Sequence, residues 1–287
     1  MAREVVEIPR LAERLVLAGD SIAPAVARIA AFSPRFAVVC GRGSSGHAGT
    51  HLRYLIETRL SLITSESAPS VFTVYGTKQD MRGVLFIVIS QSGQSPDLLR
   101  SADVARECGA LTLAIVNDAA SPVANACELV VDIAAGAERA VAATKTVALS
   151  ALAGALLIAR LANDRELSDA LQRLPERLHR ALDCDWSPWA SAVAQTRASF
   201  VAGRGYALGP AREIALKITE VLRAPSLGFS TAELRHGPRA AITQETPVLV
   251  LRQEDETAAA TDDLVRDLRE SGCGVYAAGG WHACALV

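Results

Sequence analysis

The chain lacks the features that define several large classes of protein. Its formal net charge is only −2 over 287 residues, so it offers no basic field to attract a nucleic acid. Its cysteines form no Cys-x-x-Cys pair and no His/Cys ligand spacing, which argues against a disulfide framework or a zinc site and favours a reducing cytoplasm. They are Cys40, Cys108, Cys127, Cys184, Cys273 and Cys284. Nothing in the sequence requires a metal or an organic cofactor.

Long apolar runs are also missing. The longest, residues 147–159, is rich in alanine and too short for a membrane span, so we interpret it as a buried helix. Residues 1–10 carry charges where a secretory signal would need an apolar core. Half of the residues are nevertheless hydrophobic, which is enough to bury a substantial core. We therefore expect a cytoplasmic protein with no membrane partner.

Two parts of the sequence resemble each other at a constant offset of 162 residues. Three apolar segments correspond in this way, with no gap between them. The pairs are 36–43 with 198–205, 86–91 with 248–253, and 111–116 with 273–278. Strands alternate with helices in each part, so the repeat predicts an α/β fold with two parallel sheets that carry helices on both faces.

The repeat also predicts the organisation of the chain into domains. The predicted segments are an N-terminal helical segment (1–35), a first domain (36–162), a helical connection (163–197) and a second domain (198–287). Within the first domain we expect a short strand at 61–64 and a long closing helix over 141–161. The offset carries Asn125 to residue 287, so we expect the second domain to be incomplete at its C-terminus.

A serine-rich turn follows the apolar run at residues 84–89. It offers hydroxyls, an amide and free backbone N–H groups, with no positive side chain nearby. Pro96 suits the first turn of a following helix, and a helix N-terminus favours an anion. The turn therefore indicates a bound phosphate, the alternative being an ordinary strand-to-helix turn. Its polar side chains are Ser90, Gln91, Ser92 and Ser95.

A glycine-rich turn at residues 41–49 follows a predicted strand and opens a predicted helix. Its glycines fit the G-x-G-x-x-G pattern of dinucleotide sites, which also requires an acidic residue at a strand end about 20 residues later. Glu66 has that spacing but lies in a polar cluster without an apolar strand, which disfavours a dinucleotide. Ser44 and Ser45 are better interpreted as sugar or phosphate ligands, and helix capping is a compatible alternative.

Three further segments carry candidate residues. The small side chains of residues 138–145 would let the backbone approach a ligand, unless this is only a loop and a helix start. Glu213, Lys217 and Glu220 share one helical face. An exposed salt-bridged face is the alternative, but this helix opens from the second glycine turn and should border a ligand crevice. His236 precedes Gly-Pro in a charged turn, where an exposed histidine suits acid/base chemistry.

Together these motifs resemble the tandem sugar isomerase (SIS) domain family, and most closely the isomerase half of glucosamine-6-phosphate synthase and the SIS-type sugar-phosphate deaminases. The resemblance extends from about residue 10 to about residue 278, with five motifs in the family's order. These motifs lie at residues 43–45, 90–95, 138–145, 213–220 and 233–238.

The resemblance implies a role for each motif. Glu220 would move a proton between C1 and C2 of the sugar, His236 would open the ring, and Lys217 would assist. This agrees with the chemistry of aldose–ketose exchange, in which one base passes a proton through an enediol or enolamine. Because the family's histidine often comes from a neighbouring subunit, a homodimer is implied as well. The implied ligands of the sugar phosphate are Gly43, Ser44, Ser45, Ser90, Gln91, Ser92 and Ser95, with backbone contacts from Val141 and Ala143.

The resemblance also narrows the expected reaction. Glutamine-dependent members begin with an amidotransferase domain and a nucleophilic cysteine, whereas here only about 35 residues precede the first predicted strand and residue 2 is alanine. We therefore expect no glutamine hydrolysis, and a deaminase that converts glucosamine 6-phosphate into fructose 6-phosphate and ammonia. The alternatives are a regulatory protein that binds a phosphorylated amino sugar, and a deglycase or isomerase of another phosphorylated amino sugar.

Overall fold

The chain folds into two compact units in the computed structural model, which describes residues 1–279. The first unit ends at Leu178 and the second begins at His179. Each unit contains one parallel sheet with helices packed against it.

The sheet of the first unit has five parallel strands in the order β2-β1-β3-β4-β5. Both β3 and β4 are buried along their whole length, because helices cover both faces of the sheet. This is why they appear in the sequence as continuous apolar runs rather than as alternating patterns. The strands are β1 (Phe36–Cys40), β2 (Thr64–Glu66), β3 (Val84–Ser90), β4 (Leu111–Val116) and β5 (Leu129–Asp132).

The helices of this unit form two layers around the sheet. They are α1 (Ala2–Val5), α2 (Ile8–Leu17), α3 (Ala23–Phe32), α4 (Ser44–Arg59), α5 (Ser70–Thr73), α6 (Pro96–Glu107), α7 (Pro122–Ala126), α8 (Lys145–Leu161) and α9 (Arg165–Gln172). A further helix, α10 (Leu174–Leu182), crosses the boundary between the units, and a short 3₁₀ helix spans Gly19–Ile22. The α4 and α8 helices pack against each other, while α6 and α7 pack on β3 and β4.

The long apolar run is a buried helix, as the sequence predicts. Most residues of α8 are buried, and Leu149 and Leu157 are completely so. A Cβ atom at Gly154 would lie only 3.0 Å from Leu52 Cδ1, so glycine lets α8 approach α4 closely. Within residues 1–279, no single helix has the length and apolar content needed to cross a membrane; only the bent pair Ala2–Leu17 and Gly19–Phe32 reaches that threshold jointly.

The second unit repeats the strand order of the first. Its sheet runs β7-β6-β8-β9, all parallel. The strands are β6 (Ser199–Gly203), β7 (Ser226–Phe229), β8 (Val248–Leu251) and β9 (Val275–Ala278). The helices are α11 (Ser187–Ala194), α12 (Leu208–Leu222), α13 (Thr231–Leu234) and α14 (Ala258–Glu270), with 3₁₀ helices at Gly205–Ala207 and Gly237–Ala241.

The repeat is confirmed in backbone detail. The offset of 162 carries Thr64, the first residue of β2, to Ser226, the first residue of β7. It also carries Gly43 to Gly205, and both adopt a positive φ, 52° and 57° respectively, which only glycine adopts without strain. The predicted α/β fold with two parallel sheets is therefore correct. The described second sheet has four strands, and residues 280–287, where the sequence offers no convincing fifth strand, lie outside the described residues.

Two predicted elements are placed wrongly. The strand predicted at 61–64 begins instead at Thr64, because Ser61 has φ 52° and the chain turns there. Glu66 consequently does end a strand, but its carboxylate accepts a hydrogen bond from Thr50 Oγ1 at 3.0 Å and lies 3.5 Å from the Arg53 guanidinium. This acidic group is therefore exposed and bound to α4 rather than left for a ribose. The helix predicted over 141–161 begins only at Lys145, because the Glu138 carboxylate binds the amides of Thr144 and Thr146.

Candidate functional site

Two polar turns lie side by side at one edge of the first sheet. The β1 and β3 strands are parallel neighbours, with Cys40 opposite Val88, so their carboxyl ends reach the same edge. Ligands of open α/β sheets bind at that edge. The α4 and α6 helices begin there, and the positive ends of their dipoles favour an anion.

The first turn is shaped by glycine. Gly43 is the N-cap of α4, with φ 52° and ψ −129°, so no side chain caps this helix. Ser44 and Ser45 occupy the first two helical positions and are half-buried. A Cβ atom at Gly41 would lie 2.8 Å from the Ser45 carbonyl, so the backbone closes tightly over the helix start. The Ser45 N–H donates to the Arg42 carbonyl at 3.1 Å, so both serines lie in a closed first turn and offer their hydroxyls at the positive end of the helix dipole.

The second turn is held together by its own serines. The Ser90 hydroxyl is buried and accepts the Gly93 N–H at 3.1 Å, and the Ser92 hydroxyl accepts the Gln94 N–H at 3.3 Å. Ser95 is the N-cap of α6 and Pro96 its first helical residue. The Gly93 carbonyl accepts the Val123 N–H at 3.0 Å. Ser90 therefore shapes the turn, while Gln91 and Ser95 are half-buried and Ser92 is exposed at its rim.

A positive charge lies at these turns, contrary to the expectation that none is near. The Arg42 guanidinium of the first turn is ion-paired with the Asp97 carboxylate, which follows Pro96 in the second. Their side chains are 61% and 38% exposed, so the pair is solvated and a competing anion can displace the carboxylate at small cost. Arg42 and Asp97 are 55 positions apart in the sequence, and they meet because β1 and β3 are adjacent strands.

A third loop, residues 138–144, connects β5 to α8. The Glu138 carboxylate accepts the N–H groups of Thr144 and Thr146 at 3.0 and 3.1 Å, and the Thr146 hydroxyl also donates to it. Because Glu138 binds these amides, residues 141–144 remain outside the helix and α8 begins at Lys145. Val141 is fully exposed at the crest of the loop and Ala143 is half-buried.

The N-terminal segment also binds the 138–144 loop, through Glu4 of α1. The Glu4 carboxylate is buried and accepts the N–H groups of Arg139 and Ala140 at 2.5 and 3.3 Å and the Thr144 hydroxyl at 3.2 Å. The Met1 ammonium lies 3.2 Å away. The Arg139 amide is the main reason that the pKa of Glu4 falls to about 2. Nearby, the Glu7 carboxylate lies 2.8 Å from the buried ammonium of Lys145, the first residue of α8. This ion pair offsets the unfavourable interaction of a cation with the positive end of the helix dipole.

The second unit carries the candidate acid/base residues. On α12, the Lys217 ammonium lies 2.5 Å from Glu220 Oε2 and 3.3 Å from Glu213 Oε1, so the three residues share one face as predicted. The Glu220 side chain is 37% exposed, whereas those of Glu213 and Lys217 are largely buried. His236 is exposed after α13, where Ser230 and Glu233 form a reciprocal cap. The candidates thus form two groups, one in each unit.

Buried thiols take no part in this chemistry. Burial raises the pKa of Cys40, the last residue of β1, to about 11 and that of Cys127 to about 12. A thiol with such a pKa is not a nucleophile at neutral pH. Both cysteines instead pack in the apolar core on the α6 face of the first sheet.

A family comparison matches both sheets. The model for the SIS domain matches residues 33–160 and 193–277, which covers well over half of the chain. The chain belongs to the SIS domain family. The serine-rich turns, the 138–144 loop and the α12 face all fall within the matched regions.

The SIS relatives extend this result. Glutamine–fructose-6-phosphate aminotransferases from Methanothermobacter thermautotrophicus and Halobacterium salinarum are each 32% identical to the chain, over 97% and 83% of its length. The chain spans only 47% and 41% of those proteins, less than half of each. A crystal structure from Silicibacter pomeroyi DSS-3, of a protein provisionally described as a phosphosugar isomerase, is 37% identical with TM-score 0.93 and covers 99% of this chain and 88% of that one. The chain therefore shares the fold of this protein over almost its whole length.

Two residues of the candidate site, Arg42 and Glu4, escape sequence reasoning. Arg42 could have been found, because the repeat order already predicts that the turns after β1 and β3 are adjacent. Glu4 could not, because its loop partner Arg139 is 135 residues away and no pattern links an N-terminal helix to a distant loop.

We expect Gly93→Ala to destabilise the first unit more than Gly76→Ala does. Both glycines have φ 62°, but a Cβ atom at Gly93 would lie 2.1 Å from Ser121 Oγ, whereas Gly76 has nothing within 4 Å. Gly76→Ala therefore carries the same penalty for a positive φ without the clash with Ser121, and the difference between the two variants measures that clash. Urea unfolding should show an extra loss of about 1–3 kcal/mol for Gly93→Ala, and equal losses would contradict the packing described here.

We also expect Glu4 to contribute to acid sensitivity. Its pKa is lower in the folded chain, about 2, than its ordinary value of 4.5, so its stabilisation is complete above pH 4.5 and is lost as the pH falls towards 2. Over that range the free energy of unfolding should fall more steeply for the wild type than for Glu4→Gln in urea titrations. The control Leu11→Ala, in the buried face of α2, should lower stability but keep the wild-type slope. Parallel curves for the wild type and Glu4→Gln would refute this assignment.

Proposed function

We propose that the chain deaminates and isomerises a phosphorylated amino sugar, converting glucosamine 6-phosphate into fructose 6-phosphate and ammonia. The observation that carries the proposal is the pair of serine-rich turns at one sheet edge, with two helix N-termini and the Arg42 guanidinium. Backbone amides, hydroxyls and an exchangeable arginine are the groups that recognise a phosphate.

The phosphate ligands are assigned to the first unit. Ser44, Ser45 and Gln91 have side chains that are accessible at the helix starts, and Ser92 and Ser95 border them. Gly43 and Ser90 shape the turns, and the backbone of Val141 and Ala143 contacts the sugar. A phosphate bound here replaces Asp97 as the partner of Arg42.

Proton transfer is assigned to the second unit. His236 moves the proton that opens the sugar ring, giving an aldehyde at C1. Glu220 removes the C2 proton to form an enolamine and returns it to C1, while the amine loses a proton and O1 gains one. Water then adds to the resulting C2 imine and expels ammonia, leaving the C2 ketone. Lys217, which is ion-paired with Glu220, orients the carboxylate.

A second candidate is aldose–ketose isomerisation of a phosphosugar without loss of ammonia. It is supported by the provisional description of the Silicibacter relative, and it requires the same phosphate turns and the same base. The two reactions differ in whether C2 of the sugar carries an amine that is lost as ammonia, so the products distinguish them.

The test is product release from glucosamine 6-phosphate by the wild type and by Glu220→Gln. We expect the wild type to release equal amounts of ammonia and fructose 6-phosphate. The variant should lose roughly 10²–10⁴-fold in kcat, because it lacks the base, yet still bind fructose 6-phosphate in calorimetry. A matched control is Glu270→Gln, an exposed glutamate in the last turn of α14, which should keep wild-type turnover.

Each contrary result has a distinct meaning. Interconversion of aldose and ketose phosphates without ammonia would support the isomerase. Saturable binding of fructose 6-phosphate with no turnover of any phosphosugar would overturn both reactions in favour of a regulatory binding protein. Undiminished turnover by Glu220→Gln would remove that residue from the mechanism.

A further inference from the structure

The carboxylate of Glu4 is buried although α1, which carries it, has only four residues. A buried carboxylate is costly unless its oxygens are fully hydrogen-bonded. Here one oxygen accepts two main-chain N–H groups, from Arg139 and Ala140, and the other accepts the Thr144 hydroxyl. All three donors belong to the 138–144 loop.

The loop is therefore clamped between two carboxylates. Glu138 binds amides at the α8 end. Glu4 binds the amides of the two residues that precede Val141 and the hydroxyl of Thr144, three positions after it. Thr144 is shared, since its hydroxyl lies 3.2 Å from Glu4 and 3.3 Å from Glu138. Between these anchors Val141 stands fully exposed, so the crest of an irregular loop is fixed at both ends.

We propose that Glu4 is a positioning residue of the sugar-phosphate site, which fixes the 138–144 loop so that the backbone of Val141 and Ala143 is presented to the sugar. This inference rests on the proposed function for the role of Val141 and Ala143. Glu4 itself is held away from solvent by the loop, so it acts through the loop.

The chemistry of the contacts requires an acid at this position. A carboxylate only accepts hydrogen bonds, which suits three donors that converge on it. Glutamine has the same shape but places an NH₂ donor against donors and carries no charge, so at most part of the contact set survives. Charge-assisted hydrogen bonds of this kind are about twice as strong as neutral ones, and Glu4→Gln should therefore release the loop.

The experiment compares Glu4→Gln and Thr144→Val with the wild type. A matched control is Asp20→Asn, an acidic residue of the same N-terminal segment that binds Arg160 of α8 but not the loop. Hydrogen exchange reports the Arg139 and Ala140 amides directly, without any ligand. Calorimetry with fructose 6-phosphate and steady-state kinetics with glucosamine 6-phosphate report the site.

We expect faster exchange at both amides in Glu4→Gln and an increase of roughly tenfold in Kd and KM, equivalent to the loss of one hydrogen bond of about 1.4 kcal/mol. The kcat should change little, because contacts that hold the sugar equally before and during reaction act on KM. Thr144→Val should raise KM in the same direction and add little to Glu4→Gln, and Asp20→Asn should match the wild type.

The outcomes separate this inference from the proposed function. If the wild type binds the sugar phosphate but Glu4→Gln keeps the wild-type amide exchange or the wild-type KM, the role of Glu4 is overturned and the proposed function stands. A wild type that binds no sugar phosphate would overturn both. If Glu4→Gln does not fold, Thr144→Val alone decides, and an unchanged KM in that variant would overturn the inference.

Discussion

The parallel register between β1 and β3 is the constraint on which the candidate site depends. Because Cys40 lies opposite Val88, the carboxyl ends of β1 and β3 are only a few residues apart in register. The chain must therefore turn at the same edge of the sheet after each of these strands. Each strand is then followed by a helix, so two helix N-termini converge on one place. A shift in this register would separate Arg42 from Asp97 and the serines of one turn from those of the other.

Two carboxylates of the first unit bind main-chain amides, whereas the Arg42 guanidinium has an exchangeable partner. Glu4 and Glu138 accept amide protons of a loop, and their bonds hold irregular backbone that no strand or helix supports. Arg42, in contrast, has only a solvated ion pair with Asp97. The two acids therefore hold the 138–144 loop, and the exposed Arg42 gives the unit a means of binding an anion.

Local sequence patterns predict the buried strands and the helices well, because continuous apolar runs and glycine turns are local signals. They fail where long-range contacts decide the structure. The strand β2 is polar and forms because it pairs with β1, and α8 starts late because Glu138 binds the amides that would otherwise begin it. Of the site, the serine turns and the α12 face can be predicted from spacing, whereas the contribution of Glu4 depends on a fold-back over 135 residues.

The duplicated unit explains why the phosphate turns are assigned to the first sheet. The offset of 162 places Tyr206 and Ala207 at the positions of Ser44 and Ser45, and Arg252 at that of Ser90. Arg252 is ion-paired with Glu254 and Asp262, which raise its pKa above the ordinary value. A turn that already holds two carboxylates against its arginine repels a phosphate. The second unit thus keeps the backbone of the repeat, including the glycine with positive φ, and uses the helix after its first turn to carry Glu213, Lys217 and Glu220 instead.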